Sequence, residues 1–234
     1  DTDGNGTPDL LKATVQTVAL SVSNAQVAVV GVATVKVSGT LGLASVTAAG
    51  EAAARYSALK MGDVSVEVQG AVAGLSLTGT FTLSRLDTNA VAASAPAGTG
   101  RLDWARAFDL NGDGQKDLLD PGALLASPVA LPIDFSSSLE LGLSGTVSGN
   151  GSGGGLAAGT VLLAFEPIYI GGSAGFALER RTVDVDTDGN GTPDLLKATV
   201  QTVALSVSNA AVAVVGVATV KVSGTLGLAS VTAA

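Results

Sequence analysis

The amino-acid sequence predicts an all-β protein built from tandem repeats, and three observations carry that reading. Apolar and polar residues alternate with period two over most of the chain, the pattern of strands with two distinct faces. Residues 1–49 return as residues 186–234 with one difference, Gln26 against Ala211. Apolar residues make up 47% of the 234, yet aromatics only 3%, so the apolar content is mostly Ala, Val and Leu. Small side chains of that kind suit thin, closely packed layers better than a bulky aromatic core.

The strands can be taken in chain order. Val35, Val37, Gly39, Leu41 and Leu43 share a face opposite Lys36, Ser38, Thr40 and Gly42. Leu75, Leu77, Gly79, Phe81 and Leu83 repeat the spacing opposite Ser76, Thr78, Thr80 and Thr82. A weaker copy is Leu141, Leu143, Gly145 and Val147, and a longer one is Ile168, Ile170, Gly172, Ala174, Phe176 and Leu178. Each carries a glycine on its apolar face in mid-strand, which marks a bulge, a bend or the close approach of another backbone. Helical patterning is scarce. Residues 51–60 fit a short helix, a turn or a strand, and residues 118–126 fit a single turn. Residues 87–100 and 149–155 read as loops from their composition.

The repeat offset is 186 − 1 = 185 residues, so 1–185 reads as one full unit and 186–234 as the start of the next. A long fixed period is the mark of an array in which each unit meets its neighbours. The expectation is a window on a longer polymer, with an engineered fusion as the alternative. Its expected partners are neighbouring repeats of the same polypeptide, with self-association into a filament also open. Two architectures fit: an elongated β-solenoid-like or stacked-sheet structure, or a string of tandem β-sandwiches of about 100 residues each.

Composition narrows the function. There is no Cys, so no disulfide framework is expected. The net charge of −8 disfavours a nucleic-acid partner, which calls for a basic stripe, and suits cation binding. No stretch reaches the roughly 20 apolar residues of a membrane-spanning helix. His is absent, which removes the Ser-His-Asp and Cys-His nucleophiles and most catalytic zinc sites. Ser57 to Lys60 matches S-x-x-K without its companion motifs. Gly149, Gly151 and Gly154 match G-x-G-x-x-G without a strand–helix frame. Asn5-Gly6-Thr7 has the form of a glycosylation sequon, but Asn5 serves better as a metal ligand. No enzyme is expected.

The strongest chemical signal is a set of acidic, glycine-punctuated loops. Residues 109–120 place Asp109, Asn111, Asp113, Asp117 and Asp120 at loop positions 1, 3, 5, 9 and 12, with Gly114 at position 6 and the Gln115 carbonyl at 7. A hard divalent ion takes six to eight oxygens at about 2.3–2.6 Å, and a glycine at the sharp turn lets one loop wrap them around a point. The second loop offers Asp186, Asp188, Asn190, the Thr192 carbonyl and Asp194, and its earlier copy offers Asp1, Asp3, Asn5, Thr7 and Asp9. This is a shorter, nine-residue form, since Lys197 stands where a twelfth ligand would be, and it would join two strands. Asp, Asn and Gly also dominate metal-free turns. Here, however, several carboxylates in one turn repel each other without a cation, so Ca2+ is the expected cofactor.

Residues 109–120 (DLNGDGQKDLLD) resemble a dockerin-type calcium loop, and DTDGNGTPDLL resembles the calcium hairpin of integrin-type FG-GAP repeats. Each resemblance covers some ten residues and implies neither full fold. The texture of the 185-residue unit, as in SNAQVAVVGVATVKVSGTLGLASV and RYSALKMGDVSVEVQGAVAGLSLTG, is similar to giant repetitive bacterial surface proteins of the calcium-dependent, type I-secreted adhesin kind. That likeness implies secretion followed by calcium-driven folding at the cell surface, although the glycine-rich nonapeptide array of the RTX family is missing. The functional expectation is a structural repeat of an extracellular, calcium-stabilised fibre or adhesin stalk. The alternatives are a ligand-binding adhesin module presenting loops 87–100 and 149–155, and a laterally assembling sheath or S-layer component.

Overall fold

In chain order the alternating segments become nine strands: β1 (Thr14–Val29), β2 (Ala33–Thr47), β3 (Tyr56–Val72), β4 (Leu75–Val91), β5 (Leu139–Gly149), β6 (Val161–Phe165), β7 (Ile168–Val185), β8 (Leu195–Val214) and β9 (Ala218–Thr232). The computed structural model describes residues 1–2, 9–30, 32–72 and 74–234. Among these residues the only helical piece is a 3-10 turn at Pro121–Leu124, where a single turn was expected. Residues 56–60 of the ambiguous 51–60 segment belong to β3, and 87–91 of the expected loop 87–100 belong to β4.

All nine strands lie in one antiparallel sheet of order β1-β2-β3-β4-β5-β7-β8-β9, with the short β6 bridging β4 and β7 beyond the end of β5. The all-β expectation holds, but the described residues form one meander, where stacked coils or facing sheets were expected. Period-two alternation is common to all three architectures and does not distinguish them. The pairings do: besides the tight hairpins at Val29 to Ala33, Val72 to Leu75 and Val214 to Ala218, β2 pairs with β3, β4 with β5, β5 with β7 and β7 with β8 in the same sheet.

Cross-strand pairs share a face, so the register reveals two surfaces. One row runs Leu20, Leu41, Met61, Leu86, Leu143, Leu178, Val203, Leu228 across every strand of the path. A second runs Leu77, Leu163, Ile170, Val212, Val220. This back face is apolar and much of it is exposed among the described residues, with Leu20 51% and Leu228 59% exposed. The expected mid-strand glycines lie on it. A Cβ on Gly145 would stand 2.4 Å from the Thr82 carbonyl and 2.8 Å from Phe176 Cζ, so glycine is needed for Phe176 to cross to its stack with Phe81. Gly172, at φ +124, faces the β8 bulge at Ala210 in the same way.

The front face is largely polar; the loop after β5 lies against Tyr169 and Gly171 at one part of it, and residues 92–138, between β4 and β5, fold over another. Leu102, Trp104, Phe108, Leu119, Ile133 and Phe135 form a core there with Ala44, Val46, Tyr56 and Ala58 of β2 and β3. Burying a large apolar side chain contributes about 1.5–3 kcal/mol, so this cluster is the main apolar anchor of the unit. A buried polar node at Asn89 orients it. Asn89, 1% exposed, donates to the Leu102 and Ser136 carbonyls at 2.9 and 3.1 Å and accepts from Trp104 Nε1 at 3.0 Å. Nearby, Glu179 pairs with Arg181 and Arg85, and Arg85 also pairs with Asp87. The Arg181 hydrogen bond holds the Glu179 carboxyl below its usual range.

Candidate metal loops

The β7–β8 connection is built around Asp186. Its Oδ1 accepts from the Asp188 and Gly189 amides at 3.2 and 2.7 Å, and its Oδ2 from the Gly191 amide at 2.6 Å. Asp188 Oδ1 accepts from the Asn190 amide at 3.1 Å, and Asn190 Oδ1 from the Thr192 amide at 2.8 Å. Asp194 Oδ2 accepts from Thr187, backbone at 2.7 Å and hydroxyl at 2.6 Å, while the Asp194 amide closes the hairpin on the Val185 carbonyl at 2.9 Å. Glycines at 189 and 191, both with positive φ, allow the chain to curl its amides inward. The result brings one carboxylate oxygen each from Asp186, Asp188 and Asp194 within 4.8 Å of one another.

These three carboxylates could hold a metal ion, and among the described residues no other group of three acidic side chains converges so closely. Their charges are partly offset by backbone N–H dipoles. The Gly191 amide is the main cause that holds Asp186 below the ordinary aspartate range, and the Thr187 hydroxyl that of Asp194.

Loop 109–117 follows the same plan. Asp109 accepts from the Gly112, Asp113 and Gly114 amides at 2.7, 3.2 and 2.9 Å. Asn111 Oδ1 accepts from the Asp113 amide, Asp113 Oδ1 from the Gln115 amide, and Asp117 Oδ2 from the Leu110 amide. Asp117 closes the turn through its own amide to the Phe108 carbonyl at 2.8 Å. Position 9 therefore ends this loop as it ends the other. Asp120, expected at position 12, lies just beyond this turn. Its Oδ1 accepts from the Gly122 and Leu131 amides at 3.1 and 2.9 Å and caps the 3-10 turn.

In the first copy, Asp9 Oδ2 accepts from Thr2, amide at 2.6 Å and hydroxyl at 2.9 Å, the contact that Asp194 makes with Thr187. The Thr2 amide is the main cause that lowers the Asp9 carboxyl. Asp3, Asn5 and Thr7 lie outside the described residues. Asp1 is paired with Lys116 at 2.9 Å, so this loop meets loop 109–117 in space. Sequence spacing offers no sign of that contact, since the two residues are 115 positions apart.

Of the motifs weighed for catalysis, Lys60 is tied to the Pro132 carbonyl at 2.7 Å and to Asp134 at 3.1 Å. Gly154, of the G-x-G-x-x-G match, lies against the Tyr169 ring. Compared with protein-family models, curated proteins and solved structures, the chain finds no match. No helix among the described residues is long and apolar enough to cross a membrane.

Proposed function

We propose that the chain is a structural repeat of an extracellular fibre or adhesin stalk whose strand-connecting loops are set by Ca2+. The observation that carries this reading is the convergence of Asp186, Asp188 and Asp194 in a turn that sits where one 185-residue unit passes into the next. An all-oxygen donor set of carboxylates, an Asn and backbone carbonyls suits a hard cation. An ion bound only to the folded loop stabilises by RT ln(1 + [Ca]/Kd), about 2.7 kcal/mol per site at a hundredfold excess over Kd. It would stiffen a junction otherwise held by exposed hydrogen bonds.

The test is thermal unfolding of the full chain in calcium and in chelator, beside the double variant Asp188→Ala, Asp194→Ala. The expected result is a calcium-dependent rise in melting temperature that the variant loses in large part. Equal melting in calcium and chelator would discard the calcium reading.

One observation favours a second reading, lateral assembly into a sheath or S-layer. The back face is apolar across the whole sheet, and contiguous exposed apolar surface of this kind marks an interaction site. Units could pair face to face through it, giving concentration-dependent association in light scattering that polar substitutions at Leu20 and Leu205 would abolish.

A further inference from the structure

The repeated sequence is folded twice in one molecule, but with different surroundings. The β1–β2 and β8–β9 hairpins have matching registers, Thr14 opposite Thr47 and Thr199 opposite Thr232, with the bulge at equivalent places. The Asn24 amide donates to Ser38 Oγ at 3.0 Å, and the Asn209 amide to Ser223 Oγ at 3.2 Å. β9 therefore presents to its outer side what β2 presents to β3. β2 is covered there and β9 is not. Ala44 and Val46, beside β3 and under segment 92–138, are 0% and 3% exposed, while Val231, the copy of Val46, is 50% exposed.

Four specific contacts of the covered copy identify what is missing from the open one. Lys36 pairs with Glu67 at 3.5 Å, whereas Lys221, its copy, makes no ion pair among the described residues. Thr40 Oγ1 donates to the Gly62 carbonyl at 3.0 Å, whereas no strand lies beside Thr225 on that side to supply such an acceptor. Asp1 pairs with Lys116, whereas among the described residues no lysine pairs with Asp186. A Cβ on Gly39 would stand 2.7 Å from Val64 Cγ2, while a Cβ on its copy Gly224 would meet nothing within 4 Å.

We infer that the open edge and front face of β9 are the docking surface for a second copy of residues 50–139 (β3, β4 and the segment folded over them), held in series, in the register β2 makes with β3. Val220, Lys221, Val222 and Leu228 would then lie opposite the residues matching Val68, Glu67, Val66 and Leu59. The same logic gives the outer edge of β1 a β7-type neighbour, because β7 occupies that edge of β8. Successive units would thus share one continuous sheet with no edge at the junction, which also removes the pairing hazard of two long open edge strands. The inference rests on the repeat-fibre reading and deepens it by naming the joint.

The experiment extends the full chain past Ala234 with a further copy of residues 50–185 and introduces cysteines, of which the chain has none. Val222→Cys is paired with the Val66→Cys equivalent in the added copy, and Val37→Cys with Val66→Cys in the 234-residue chain is the positive control. The expected result is an intramolecular disulfide at both pairs and none between the added cysteine and Lys221→Cys, which faces the other way. A second variant, Gly224→Ala, is expected to melt like the parent in the 234-residue chain and several degrees lower in the extended one. A working control with no crosslink at position 222, or a Gly224→Ala effect equal in both lengths, overturns the inference. Each readout is taken in calcium and in chelator: stabilisation by calcium without the crosslink loses the joint alone, and the crosslink without calcium stabilisation loses the calcium reading alone.

Discussion

Asn89→Ala tests whether segment 92–138 is fastened to the sheet by one buried node. The side chain is 1% exposed and makes three hydrogen bonds, two to carbonyls and one from the Trp104 indole. A typical buried hydrogen bond contributes about 0.5–1.5 kcal/mol net, and a partner stranded without water costs about 1–3 kcal/mol. Three lost bonds at the net value predict about 1.5–4.5 kcal/mol of destabilisation. Trp104 is the only tryptophan and is fully buried, so its emission follows this segment directly. Urea unfolding read by Trp fluorescence should show the midpoint falling, with the native emission shifting red as water reaches the indole. A loss below about 1 kcal/mol with unchanged emission would mean that apolar packing alone positions the segment, and the reasoning would fail.

Other expectations follow from the same geometry. Asp113→Ala with Asp117→Ala should lower the melting point in calcium by several degrees more than in chelator; equal losses would make loop 109–117 an ordinary turn. Gly145→Val forces a side chain into the Thr82 carbonyl and the Phe176 ring, and overpacking of this kind costs about 1–3 kcal/mol. Denaturant melts would show that loss, and a neutral variant would contradict the close approach. Asp9, Asp186 and Asp194 are held below the ordinary aspartate value of 3.8 by hydrogen bonds. Their contribution is therefore fully present above that value and is lost as pH falls through the lowered folded values. In chelator, stability should decline on acidification below about pH 4, and a rise there would reverse the assignment. Finally, a continuous sheet places six strand positions in each 185-residue unit, and at about 4.8 Å per strand successive units lie at most about 29 Å apart along a fibre. Electron microscopy of a multi-repeat chain would measure this, and an axial repeat well above that length would require separate beads.

Residue pattern alone determined the all-β class, the shared face of Val35, Val37, Gly39, Leu41 and Leu43, the glycine-marked close approaches and the loop positions of Asp186, Asp188 and Asp194. These are local properties: a two-residue period fixes which side chains share a face, and Asp and Gly spacing fixes a turn. Whether the strands would coil, face each other in pairs or run as one meander was not legible, because alternation is identical in all three. Tertiary structure decided it through hairpin pairing. It also decided that Asp120 caps a 3-10 turn, that Asp1 meets Lys116, and that Asn89 holds Trp104. Those outcomes join residues distant in sequence, and they depend on which strands lie side by side. The same 49-residue text makes the point most directly, since Val46 is buried and Val231 is exposed. Sequence specified the hairpin twice over, but burial belongs to the neighbour, and only one copy has it.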